Sequence, residues 1–134
     1  MNYPDCGIFG QIYQKKMKKI KRESNYRQLH DDEIYRLVYQ SCSSPDWSLV
    51  KVSDDFTPDN IENSKFTGQI RLNSFNRTVK LVGGIKFKTG IYNAWLHNCE
   101  VSRNVLIHNV RGYIANYIIG EGVVIHNVTT MAVD

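Results

Sequence analysis

Apolar positions in the last third of the chain recur about every six residues: Val101, Ile107, then Tyr113 or Ile114, Ile119, Ile125, and Met131 or Ala132. A long amphipathic helix needs a period of about 3.6 and a half-buried strand a period of about 2, so neither describes this stretch. The pattern also returns to itself every third step. Leu106-Ile107-His108-Asn109-Val110 reappears as Val124-Ile125-His126-Asn127-Val128, 18 residues on, and the same displacement pairs Leu96 with Ile114, Val101 with Ile119, Ser102 with Gly120, Asn104 with Gly122 and Val105 with Val123. Such an internal repeat takes precedence over the assignment of single strands. Three six-residue steps per unit describe a prism with three short flat faces, each with one aliphatic side chain pointing inward. Successive coils then stack at the strand spacing of about 4.8 Å. Ser102-Arg103-Asn104 and Gly120-Glu121-Gly122 suit its corners, where the backbone bends tightly.

Upstream the period weakens. Leu81-Val82-Gly83-Gly84-Ile85-Lys86-Phe87 can be laid on Val101 to Ile107 at a displacement of 20, which requires a two-residue insertion, and Phe66 and Leu72 are six apart. The expectation is three to four coils between residues 61 and 134, the early ones irregular. Residues 31–40 predict the clearest helix, with Asp31 as N-cap, Asp32 and Glu33 in the first turn, and Ile34, Leu37 and Val38 as the apolar stripe. It should stop near Ser41 to Pro45 and cover the N-terminal end of the prism. Trp47, Leu49, Val50 and Val52 predict a buried aromatic and an extended segment. The organisation expected is a basic arm at 1–25, a helical cap and extended segment at 26–60, and β-coils at 61–134. Val128 to Asp134 begins another coil without its remaining faces, so the coils are expected to end on an open edge, covered by the rest of a longer chain or by another subunit.

Composition adds limits. With 42% hydrophobic and 22% charged residues among 134, the chain reads as one globular unit with length enough for a core. Its apolar runs are short and none follows Met1, which predicts neither a membrane helix nor a secretory signal and makes the cytoplasm the expected location. Cys6, Cys42 and Cys99 lie far apart without CxxC spacing, so they read as reduced packing residues. The formal charge is +4, but Lys15, Lys16, Lys18, Lys19, Lys21 and Arg22 carry six of the seventeen positive groups; the rest of the chain sets eleven basic against thirteen acidic groups, a net of −2. The excess is one local segment, read as solvated, and it argues against a nucleic-acid-binding domain.

Val101-Ser102-Arg103-Asn104-Val105-Leu106-Ile107 and Ile119-Gly120-Glu121-Gly122-Val123-Val124-Ile125 resemble the hexapeptide repeat of left-handed parallel β-helix proteins, in which an aliphatic residue is followed by glycine or another small residue. The first copy departs from that pattern at Ser102. Leu29, Glu33-Ile34, Leu37, Cys42, Asp46-Trp47-Ser48, Gly90-Ile91-Tyr92-Asn93-Ala94 and Ile114-Ala115-Asn116-Tyr117 further resemble, in order and spacing, the N-terminal part of the bacterial family called domain of unknown function 4954. That resemblance implies a mainly β fold, a left-handed parallel β-helix with a short N-terminal α-helical cap, in longer proteins that continue the coils. It implies no established activity.

Candidate chemistry is sparse. His108 and His126 occupy equivalent places one coil apart, while His97, 11 residues before His108, belongs to another face. Hexapeptide-repeat acyltransferases commonly use a histidine as general base beside acyl-CoA, so that resemblance makes His108 or His126 a candidate catalytic residue, with acetyl-CoA or a nucleotide sugar as donor. The competing reading is a ladder of identical residues that the coil repeat stacks. No carboxylate or thiol shares the column, so no metal site is expected. Asn109 and Asn127 stack likewise and read as an amide ladder. Tyr92, Trp95 and Tyr113, with Tyr117, form an aromatic cluster near one corner, available for sugar stacking or for packing. The sequence holds no GxSxG, P-loop, HExxH or dinucleotide fingerprint. Two functions follow: a β-helix scaffold or interaction module without chemistry of its own, which the sequence favours, or part of a hexapeptide-class acyl- or nucleotidyl-transferase acting on a sugar.

Overall fold

The structure, a computed structural model, describes residues 8–9, 12–13 and 25–133; Cys6 and the basic cluster from Lys15 to Arg22 lie outside the described residues. In chain order the strands are β1 (Ile8–Phe9), β2 (Ile12–Tyr13) and β3 (Arg27–Gln28), followed by helix α1 (Asp31–Tyr39), a 3-10 turn at Trp47–Leu49 and β4 (Val50–Val52). Then come β5 (Ile61–Glu62), β6 (Lys65–Leu72), β7 (Thr78–Lys80), β8 (Lys86–Lys88), β9 (Gly90–Tyr92), β10 (Trp95–Val101) and β11 (Leu106–Val110). The last are β12 (Ile114–Ala115), β13 (Ile118–Ile119), β14 (Val124–Val128) and β15 (Met131–Ala132). The fold is mainly β with one short α-helix among the described residues.

Parallel ladders carry the repeat. One sheet stacks β5, β9, β11 and β14, and its register sets Ile61, Ile91, Ile107 and Ile125 directly above one another. A second runs from β4 through β6 and β10 to β12 and β13, with β15 on β12. It builds two more columns: Phe66, Leu96, Ile114 and Met131, and Val52, Leu72, Val101 and Ile119. Every residue of the three columns is buried in one core cluster. The six-residue period thus marks the inward positions, with Ile114 and Met131 buried where Tyr113 and Ala132 were the alternatives. Neither sheet closes on itself, and both are mixed because β1, β2 and β3 join them antiparallel.

Three expectations need correction. Residues Leu81 to Phe87 do not form a coil: β7 and β8 pair antiparallel as a hairpin turning through Gly83 and Gly84, at φ 90° and 84°. Two adjacent residues at positive φ suit the tight turn of a hairpin, and Gly-Gly between two alternating runs carries that signal. The hairpin lengthens the first coil, so Asn63 and Asn93 are 30 residues apart where later equivalents are 16 or 18 apart. Second, the helix cap is His30 and not Asp31, because the Glu33 carboxylate reaches back to the His30 N–H at 2.8 Å. Of the expected stripe, Leu37 is buried and Ile34 packs against the core, while Val38 faces out with Tyr35 and Tyr39 because the inward arc centres on Glu33 and Leu37. Third, the expected open edge is occupied along two strands, with β1 antiparallel on β14 and β2 antiparallel on β13, while β15 carries no further strand among the described residues. Strand edges left bare expose unsatisfied backbone groups, and the chain itself supplies partners for these.

Helix α1 is tied to β3, which joins the second sheet through β4. Arg27 grips Glu33 through two bonds of 2.9 Å, and this charge-assisted pairing holds the Glu33 carboxyl below its usual range despite burial. After α1 the chain turns at Ser41, whose φ of 67° is the first left-handed step of a corner that the coils repeat. Trp47 packs on Phe66 with ring centroids 6.4 Å apart, and Leu49 is exposed.

Candidate functional site

One corner column organises both faces that carry candidate chemistry. Asn63, Asn93, Asn109 and Asn127 occupy equivalent positions with φ of 49°, 57°, 59° and 56°. Asparagine tolerates this left-handed conformation better than other residues with a Cβ, so the residue type follows from the bend. The Asn63 amide donates to Asn93 Oδ1 at 2.7 Å, and the Asn93 amide to Asn109 Oδ1 at 2.8 Å. The sequence identified Asn109 and Asn127; the structure extends their column to Asn63 and Asn93. A second corner holds Asn98 and Asn116 in the same conformation.

On one side of this corner stand His108 and His126, in register on β11 and β14. Their rings stack 4.9 Å apart and nearly parallel at 16°, with Nδ1 facing Nδ1 at 2.9 Å. Such a contact requires one nitrogen to donate and the other to accept. Asn127 Nδ2 lies 3.0 Å from His126 Nε2 and, as an amide N–H, donates to it. The neutral His126 therefore holds its proton on Nδ1 and gives that bond to His108, whose own proton resides on Nε2. In this arrangement both nitrogens of His126 are engaged and the basic lone pair of His108 is occupied. Phe87 on the hairpin covers the pair, 4.5 Å from His108 and 6.1 Å from His126. Tyr92 stands edge-on to His108 at 6.1 Å, and its hydroxyl donates to the Lys88 carbonyl. Burial, and then the repulsion between two protonated rings in contact, pushes the His108 pKa down. His97 belongs elsewhere, bonded through Nδ1 to Thr67 Oγ1 at 2.8 Å.

On the other side, Lys65, Trp95 and Tyr113 form an outward column, Trp95 registering with Lys65 and Leu96 with Ile114. The Lys65 ammonium lies 4.8 Å from the Trp95 ring centroid and Tyr113 lies 5.4 Å from it, tilted by 58°. Trp95 Nε1 donates to Thr67 Oγ1 at 2.9 Å, which fixes the indole. The expected aromatic cluster is thus divided: Trp95 and Tyr113 are together, whereas Tyr92 faces the histidines across the corner. Between the asparagine column and Trp95 runs a groove of about 320 Å³, bordered by Ser41, Ser43, Lys65 and Arg111. Sequence reasoning missed Lys65 and Arg111. The available signal was a two-residue surplus at Arg111-Gly112, since Asn93 precedes Trp95 by two residues and Asn109 precedes Tyr113 by four.

Cys42 and Cys99 are buried free thiols; burial raises both, Cys99 to about 11, which makes them poor nucleophiles. No three His, Cys, Asp or Glu side chains converge on a metal-sized site among the described residues. No helix among them is long and apolar enough to cross a membrane.

Comparison with known proteins adds a family. The sequence model described as "Domain of unknown function (DUF4954)" matches residues 26–134. An uncharacterized protein of Treponema pallidum (strain Nichols) is 33% identical over 103 residues, which is 77% of this chain and 14% of that protein. The chain thus spans only a small part of that relative's length. No solved structure matches.

Proposed function

The chain belongs to the family of the domain of unknown function 4954, and from that premise we propose that it is one stretch of a left-handed parallel β-helix scaffold, an interaction module without chemistry of its own. The observation that carries this reading is the His108–His126 pair, whose Nδ1 atoms meet at 2.9 Å, one coil above the other. The side chains with the strongest claim to catalysis are engaged in holding coils together. The three buried apolar columns and the 18-residue step support the β-helix architecture, and the much longer relative supports further coils, in the same chain or in another subunit, as the partner beyond β15, whose outer edge carries no strand among the described residues.

The alternative, a hexapeptide-class transferase, needs His108 or His126 as general base with an available lone pair. Incubating the full chain with acetyl-CoA and simple sugars, and with UDP-sugars, separates the two. The scaffold reading expects no release of CoA thiol or of UDP from the protein or from His108→Asn. Release that His108→Asn abolishes, with the coil structure intact by circular dichroism, overturns it.

A further inference from the structure

We propose that the groove beside the asparagine corner binds an acidic saccharide, with Lys65 and Arg111 taking the anionic group and the asparagine column meeting the hydroxyls. This goes beyond the scaffold reading and does not depend on it. The groove is built by a local departure from the repeat. In the first two complete coils two residues lead from the corner asparagine to the outward column, at Asn63–Lys65 and Asn93–Trp95; in the third the surplus Arg111-Gly112 widens this step. The backbone there is fixed, Arg111 N–H donating to Val128 O at 3.0 Å and Gly112 N–H to Thr129 O at 2.6 Å. A Cβ at position 112 would collide with Thr129 O and Thr130 Oγ1, so glycine is required for the bulge to press so close to the next coil. The result places an exposed guanidinium on the rim.

The opposite rim is the Ser41 to Ser43 turn. Ser43 pairs with Lys65 in parallel register, and both residues line the groove. Lys65 is positioned by Trp95, which lies beneath its ammonium at 4.8 Å and is itself held by Thr67. No carboxylate is among the groove's lining residues, which include both cations. The chemistry therefore selects an anion. Hydroxyl recognition comes from the exposed carboxamides of Asn63 and Asn93 on the groove wall. Each spends one N–H on the next rung, at 2.7 and 2.8 Å, and keeps a second N–H. These donors repeat at the strand spacing of about 4.8 Å, one above the other along the groove wall.

The test follows the indole N–H signal of Trp95 in the 15N-labelled full chain, identified by its loss in Trp95→Phe, on titration with glucose 1-phosphate, trigalacturonate, inorganic phosphate and neutral maltotriose. At least one of the two acidic saccharides is expected to shift it, with a dissociation constant on the order of 1 mM. Arg111→Ala and Lys65→Met should each weaken that binding about fivefold, while Lys88→Ala, across the corner, should leave it unchanged. Both positions are exposed, and an unchanged amide spectrum elsewhere confirms the fold of each variant. No shift with either acidic saccharide up to about 20 mM overturns the site. Equal binding of maltotriose overturns the role of the anion, equal binding of inorganic phosphate overturns the role of the saccharide, and full binding in both charge variants overturns the assignment of Lys65 and Arg111.

Discussion

At the scale of single residues, the backbone bend explains the asparagines better than any chemistry does. Asn93 adopts φ 57° and stands in the middle of the amide column, accepting from Asn63 and donating to Asn109. Asn93→Ala is expected to destabilise the chain by about 2 kcal/mol, from left-handed strain plus lost hydrogen bonds, and Asn93→Gly by about half as much, since glycine removes only the bonds. Urea midpoints of the two variants check the order; equal losses would mean that strain at this corner is negligible. His108 gives a pH dependence. Its folded pKa lies below the ordinary value of 6.5, chiefly through burial and then through the charge of His126. The unfolded chain therefore takes the proton more readily. The stability this group contributes is complete above its unfolded pKa and is lost as pH falls through that value toward the depressed folded one. Urea midpoints should fall between pH 7.5 and pH 5.5, less so in His108→Asn. The lowered carboxyls of Glu33 and Asp55 act at lower pH and leave this window clear.

At the scale of elements, the β7–β8 hairpin and helix α1 show how local pattern and packing divide the work. The hairpin inner row, Val79 and Phe87, pairs across the strands, and Phe87 rests on the histidines, while Lys80, Lys86 and Lys88 face out. Its tip leaves Val82 89% exposed, so the hairpin attaches through its inner row and not through its turn. Phe87→Ala should uncover His108 and raise its NMR titration midpoint toward 6.5, with the coils intact. An unchanged midpoint would assign the burial to other neighbours. In α1, Glu33 serves both as the reach-back partner of the His30 N–H and as the bidentate partner of Arg27. Glu33→Ala should cost about 2 kcal/mol in thermal or urea unfolding, more than an exposed ion pair is worth, because all three bonds vanish at a nearly buried site.

At the scale of the whole molecule, the parallel ladders set their inward columns into one shared core. Ile107 lies between Ile91 and Ile125 in a fully buried column, so Ile107→Ala should remove about 2–5 kcal/mol, and Ile107→Val about 1 kcal/mol. Calorimetry of the two variants tests this. What the sequence by itself determined is the repeat: the 18-residue displacement, the inward positions at Val101, Ile107, Ile119 and Ile125, and the stacking of His108 on His126 and of Asn109 on Asn127 were all legible because a coil repeats its environment and so its residues. What only the tertiary structure decided lies where the repeat is broken. The Gly83-Gly84 hairpin imitates a coil in its apolar spacing, and only long-range pairing separates the two. The division of Tyr92 from Trp95 is set by the left-handed turn at Asn93, which sends neighbours in sequence to opposite sides of a corner. The groove unites Ser43, Lys65 and Arg111 from three coils, distant in sequence and adjacent because parallel strands at about 4.8 Å bring each coil onto the last.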